Sequence, residues 1–201
     1  MDDDVIQAVV DCDLAALQVL LDRGANAEAQ DGKGWSALRR AALNGCGSVA
    51  SMLLAYGASV EFGGKADGGT APLLIAAANG HQEVVKLLLA HGADINRKSD
   101  LVSLCPTALM AAALKGHDGI VCLLLEHGAN TELRGYRGQT ALFSWNPAVV
   151  RLLLDHGADA NARDNDGETA LTLALHELNY EEYYEGMQET VNLLQRASSS
   201  H

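Results

Sequence analysis

The sequence predicts an all-α repeat solenoid, and two periodic landmarks carry that prediction. Gly-Ala recurs at Gly24-Ala25, Gly57-Ala58, Gly92-Ala93, Gly128-Ala129 and Gly157-Ala158, each time directly behind an apolar, mostly leucine-rich stretch. The intervals of 33, 35, 36 and 29 residues fall where self-similarity means stacked units, each touching only its neighbours. A second landmark, a leucine opening the first helix of a unit, recurs at Leu38, Leu73, Leu109, Leu142 and Leu171. The 201 residues then divide into about six units, near 1–30, 31–62, 63–96, 97–132, 133–162 and 163–197, forming one domain over 1–197 with a disordered tail at 198–201.

Taken in order, the first unit starts directly at a helix, with Asp2, Asp3 and Asp4 placed to cap it and complement its dipole. In later units the stretch from leucine to Gly-Ala reads as two short antiparallel helices. In the third, Leu73, Ile75, Ala76 and Ala77 line a first helix and Asn79-Gly80-His81 breaks it. Val84, Val85, Leu87, Leu88 and Leu89 then make the apolar stripe of a second helix. Alanines let helices approach closely, and the glycine of each Gly-Ala supplies a left-handed C-terminal cap. Ser36, Thr107, Thr140 and Thr169 stand where an N-cap hydroxyl is wanted, and Pro72 stands at a first helical position. Ala71 leaves the third unit uncapped.

The leucine-to-Gly-Ala distance is 19 residues in units two to four and 15 in unit five. Four residues are close to one helical turn, so this deletion is expected to keep the apolar face of a shortened first helix in register. Trp145 and Pro147 lie in the shortened segment, where the indole either fills the space of the missing turn or faces a ligand. The last unit is eight residues longer between Leu171 and Leu193, and its Tyr180–Glu185 insertion is acidic and aromatic. That stretch reads as an extended capping helix or as a docking site for a basic partner.

The stretches Asp31-x-x-Gly34-x-Ser36-Ala37-Leu38-x-x-Ala41-Ala42 and Gly80-His81-x-x-Val84-Val85-x-Leu87-Leu88-x-x-x-Gly92-Ala93-Asp94-Ile95-Asn96 resemble the ankyrin repeat, over nearly the whole chain. The resemblance implies units of two helices plus a projecting β-hairpin finger, stacked into a curved solenoid whose concave face binds proteins. Where the family pattern has histidine in Thr-Pro-Leu-His, this chain has Arg39, Leu74, Met110, Phe143 and Thr172, so the usual threonine–histidine bonding is expected to be missing.

Carried over position by position, the resemblance places partner-binding residues on fingers and first helices: Lys33, Trp35, Leu43, Asp67, Leu104, Leu114, Lys115, Tyr136, Arg137, Gln139, Asp166, Glu168 and His176. The enlarged connections after Gly57 and Gly92 add Phe62 and Leu101, apolar residues that a merely solvated loop does not need. Leu101 and its neighbour Val102 can equally fold back over the finger.

A net charge of -12 repels phosphate and favours a neutral or basic protein partner, with no nucleic acid. No apolar run reaches a bilayer's span, and the acidic start lacks a basic leader region. Cys12, Cys46, Cys105 and Cys122 are scattered singly and read as free thiols of a reducing compartment. Together these features point to a soluble, monomeric, cytoplasmic or nuclear protein, with export as an effector an open alternative.

Three chemical motifs fail on their own spacing. Aligning Gly167 with a calcium-loop glycine puts Ala162 and Leu173 at ligand positions. Gly63-Gly64-Lys65-Ala66 lacks the hydroxyl residue of a phosphate loop, and His176 has no histidine four residues on. Five histidines (His81, His91, His117, His127 and His156) sit at recurring repeat positions and read as structural. No cofactor, metal site or enzymatic role is expected. The function read here is a non-enzymatic protein-interaction module, the alternatives being an inhibitor that clamps its target or an adaptor for a larger machine.

Overall fold

A computed structural model describes residues 1–64, 70–99, 106–178 and 186–199. The chain forms two compact units, Met1–Leu101 and Val102–His201. The first holds α1 (Asp2–Val10), α2 (Leu14–Asp22), α3 (Ala37–Asn44), α4 (Gly47–Ala55), α5 (Pro72–Ala78) and α6 (Gln82–Ala90). The second holds α7 (Ala108–Lys115), α8 (Asp118–Glu126), α9 (Pro147–Asp155), α10 (Ala170–Leu178) and α11 (Met187–Ser198).

In the N-terminal unit the helices pair as α1/α2, α3/α4 and α5/α6. The first helices α1, α3 and α5 pack side by side as an inner row, and α2, α4 and α6 as an outer one. The apolar stripes explain this arrangement. Leu38, Ala41 and Ala42 of α3, Val49 and Leu53 of α4, and Ala76, Ala77, Val85 and Leu88 of the next pair are wholly buried. The small inner-row residues set a close spacing while the outer row supplies leucine and valine bulk. Each Gly-Ala glycine has a left-handed φ, between 81° and 88°.

Ser36, Thr107 and Thr169 cap as expected, accepting from the amides of Arg39 (3.1 Å), Met110 (3.3 Å) and Thr172 (3.1 Å). Ala71 leaves α5 without a side-chain cap. Asp2, Asp3 and Asp4 lie inside the first turn of α1 and favour its dipole, but none caps it; Met1 is the N-cap residue. Between paired helices the chain turns through a left-handed residue followed by the next helix's N-cap: Cys12-Asp13, Gly45-Cys46 and Gly80-His81. Cys12, at φ 52°, holds the place that glycine takes in later units.

The fully reduced reading of the cysteines is corrected here. Cys12 and Cys46 form a disulfide, with Cα atoms 5.9 Å apart. Their separation of 34 residues is one repeat, so stacking brings together what sequence spacing reads as isolated. Cys122 is a free thiol, and Cys105 lies outside the described residues.

The hairpin fingers are short. Among the described residues they are tight turns closed by isolated antiparallel bridges, Gln30↔Ser36 and Arg163↔Thr169, with no strand. Their arms are too short to build a ladder. Asp31 shapes the turn of the second repeat, its Oδ1 accepting from the amides of Lys33 (2.8 Å) and Trp35 (2.9 Å). Behind the fingers, glutamates accept from backbone amides one repeat on: Glu28 from Ser59 (2.6 Å) and Glu61 from Asp94 (2.6 Å) in the first unit, and Glu132 from Asp159 (3.0 Å) in the second.

In the C-terminal unit α8, α9 and α11 pack in sequence as the outer row, with α7 against α8 and α10 against α11. Residues 140–146 contain no helix. The fifth repeat therefore lacks its first helix altogether, correcting the expectation of a shortened one, and Thr140 caps nothing: its carbonyl accepts from Phe143 N (3.3 Å) in a single turn. Asn146 is already the N-cap of α9, bonded to Ala148 N and Val149 N. The few residues left before it amount to about one turn, too little to offset helix nucleation. Leu142 still fills the core at 1% exposure. Ser144 Oγ donates to Ala113 O (2.9 Å), and Trp145 O accepts from Thr190 Oγ1 (3.0 Å), tying the straight segment to α7 and α11.

Candidate functional site

In the N-terminal unit the residues singled out from the sequence group around the turn of the second repeat. Trp35 is half-buried, with the Arg39 and Arg40 guanidinium carbons 4.1 and 4.3 Å from its ring centroid and Lys33 Nζ at 5.9 Å. Arg39, at the family's histidine position, is 3% exposed. Arg40 Nε donates to Asp31 Oδ2 at 2.6 Å. Burial pushes the Asp31 carboxyl up, but the amides of Trp35 and Lys33 and the Arg40 guanidinium outweigh it and hold the group below its ordinary value. Lys33 is exposed and Leu43 half-buried. Phe62 is half-buried too, and its carbonyl accepts from Ser36 Oγ at 2.6 Å. Asp67, Leu101 and Leu104, with the Tyr180–Glu185 insertion, lie outside the described residues.

In the C-terminal unit Leu114 on α7 is 53% exposed and Tyr136 at the finger tip 67%. Lys115 and Arg137 are exposed beside them. The tip is held by its backbone. Asn165 N donates to Arg137 O (2.9 Å) and Asn165 Nδ2 to Tyr136 O (3.2 Å), which leaves both side chains free to project. Gln139 Nε2 donates to Asp164 Oδ2 (3.4 Å). Asp164 Oδ1 accepts from the amides of Asp166 (3.0 Å) and Glu168 (3.0 Å), so Asp164 organises the finger turn on which those two sit. Asp166 and His176 are exposed and Glu168 half-buried.

Leu114, Arg137 and Gln139 line a hollow of about 130 Å³ with Met110 and Phe143. Leu114 and Lys115 line a second, of about 300 Å³, with Trp145 and Pro147. Met110 and Phe143 entered the sequence reading only as replacements for histidine. The signal that marks them as site residues is the shortened fifth unit, beside which Met110, itself buried, and half-buried Phe143 line the first hollow.

Three of the recurring histidines bond within their own helices. His91, His127 and His156 bring Nδ1 within 2.8 to 2.9 Å of the carbonyls of Leu87, Leu123 and Leu152 in their own helices. Glu126, accepting from Cys122 Sγ at 3.4 Å, pushes that thiol upward, opposite to what a nucleophilic cysteine needs. No group of three or more metal-ligating side chains occurs among the described residues, and no helix among them is long and apolar enough to cross a membrane.

Comparison with known proteins gives a consistent result. The family model describing ankyrin repeats in three copies matches residues 5–99 and 109–197. Among solved structures, an ankyrin repeat domain from Acinetobacter baumannii AYE is 30% identical with a TM-score of 0.80, covering 96% of this chain and 97% of that one. EF0377, an ankyrin repeat protein, is 27% identical with a TM-score of 0.82, covering 98% of both chains. The human ASB11 ankyrin repeat domain shares the fold at 24% identity and a TM-score of 0.79, covering 96% of this chain and 81% of that one. A search of curated proteins finds no significant match.

Proposed function

This chain belongs to the ankyrin-repeat family, whose members are generally non-enzymatic protein-interaction modules, and on that premise we propose that it binds a partner protein through its finger tips and inner helices. The observation that carries the proposal is the exposure of Leu114 and Tyr136, at 53% and 67%, on elements whose backbone is otherwise fully organised. Large apolar and aromatic groups beside Arg137 and Lys115 are the residue types that dominate binding energy, and a preformed backbone loses little entropy on association. In the N-terminal unit, exposed Lys33 beside the Arg39–Trp35–Arg40 stack is the corresponding candidate.

The test is affinity capture from cell lysate with the whole chain and with a variant carrying Lys33→Glu, Tyr136→Ala and Arg137→Glu. These positions bear no core contacts, so both proteins are expected to melt alike. A protein captured by the natural chain and lost from the variant supports the proposal and identifies the partner. Identical captures, or none, reject this surface.

A further inference from the structure

The missing first helix of the fifth repeat leaves a slot with a defined lining, and we propose that it receives a short amphipathic helix from a partner, with apolar anchors at i and i+4 flanked by carboxylates. This rests on the interaction-module reading above and specifies what one part of that surface takes.

Three observations lead there. First, the inner row is interrupted. In the N-terminal unit α3 lies between α1 and α5, whereas α7 and α10 do not form a packed pair. On the flank of α7 toward the fifth repeat, the straight 140–146 segment stands in place of a helix, with Ser144 Oγ bonded to Ala113 O.

Second, the two hollows run along α7. One lies against Met110 and Leu114 and the other against Leu114, Lys115 and Gly116. They share Leu114, and the α7 residues that line them run from Met110 to Lys115, a little over one turn. That interval matches side chains at i and i+4 of a second helix laid beside α7, as inner helices lie beside each other elsewhere in the molecule. At about 130 and 300 Å³, the hollows fall at or below the small end of ligand pockets and suit individual side chains.

Third, the local charge is the reverse of the global one. The chain carries 26 acidic and 14 basic residues, yet Arg137 lines one hollow, Lys115 lines the other, and neither has an acidic residue in its lining. Both cations are exposed. An acidic residue on the occupant would meet them, while a basic helix would meet only like charge. Phe143 and Trp145, both half-buried, form the apolar floor.

The experiment selects a displayed library of random 12-residue segments on the immobilised whole chain, then repeats it on a variant carrying Leu114→Asp, Lys115→Glu and Arg137→Glu. All three side chains are exposed in the natural chain, and matching melting curves check that the variant folds. The expected winners carry two large apolar residues four apart with neighbouring Asp or Glu, and bind the variant at least tenfold more weakly. They also change Trp145 fluorescence saturably in a Trp35→Phe background, where Trp145 is the sole indole.

Winners that are basic, that lack the spacing, or that bind the variant equally overturn the proposal, as does a library with no winners. If a lysate partner is still captured through Lys33 and Tyr136 while the library gives no slot-dependent binder, the slot proposal fails and the module reading stands. Loss of both rejects the module reading itself.

Discussion

Gly45 shows how much one position can depend on its neighbour in the next repeat. Its φ is +72°, and a Cβ built there would lie 2.5 Å from Nδ1 of His81, whose Nε2 stands 2.9 Å from Leu43 O. Gly24 has a similar φ of +85° but open space around the same point. Gly24→Ala should therefore cost only the left-handed penalty, about 1–2 kcal/mol. Gly45→Ala adds displacement of His81 and should cost clearly more in urea unfolding; equal losses would contradict the contact. Asp31 gives a pH signature. Its folded pKa lies below the ordinary 3.8, so its stabilisation is fully present above that value and is lost as pH falls through the lower folded one. The natural protein's melting temperature should fall more steeply below about pH 4 than that of Asp31→Asn. The variant should already be less stable at neutral pH, having lost the Arg40 pair. Parallel acid limbs would assign the effect elsewhere.

At the scale of elements, the bridge from Cys12 to Cys46 joins the turn after α1 to the N-cap of α4, where the next step of the stack uses Gly45 and His81. Closing a loop of 34 residues restricts the unfolded chain by roughly 3–4 kcal/mol in the chain-entropy model. Reduction should lower the melting temperature of the natural protein and leave that of a Cys12→Ala, Cys46→Ala variant unchanged; equal responses would show that the bridge contributes nothing. Within their unit α1 and α2 have a neighbouring pair on one side only, and the bridge adds a covalent tie to that neighbour. The fifth repeat shows the opposite economy. Deleting four residues removes an entire helix, because a one-turn remnant cannot nucleate, yet Leu142 and Ser144 keep the buried positions satisfied. The repeat period and most helix pairs were legible from periodicity, but the loss of this helix was not, because a four-residue deletion matches one helical turn in register as well as it matches collapse of the helix.

For the whole molecule, the formal charge of -12 acts at long range and the Arg137–Lys115 patch at short range. The first disfavours nucleic acid, and no retention of a duplex DNA is expected at about 0.15 M salt, where the Debye length is near 8 Å. A gel shift under those conditions would overturn that reading of the composition. The second is a local exception that matters only at contact, which is why overall composition pointed to a neutral or basic partner while the slot favours carboxylates. Among the proposed contacts, Leu114, Lys115, Tyr136 and Arg137 were identifiable as non-core positions of the repeat, and Met110 and Phe143 were not. Their roles depend on which hollows the neighbouring elements bring to them.

By itself the sequence determined the repeat period, the helix pairs outside the fifth repeat and the capping glycines. These follow from hydrophobic periodicity and backbone conformation, which act within a few residues along the chain. Tertiary structure decided the Cys12–Cys46 bridge, the closing of fingers by isolated bridges, the glutamate contacts of Glu28 and Glu61 in one unit and Glu132 in the other, and the slot beside α7. Each of these depends on contacts about one repeat apart, and whether residues at that distance meet is set by how the helices stack.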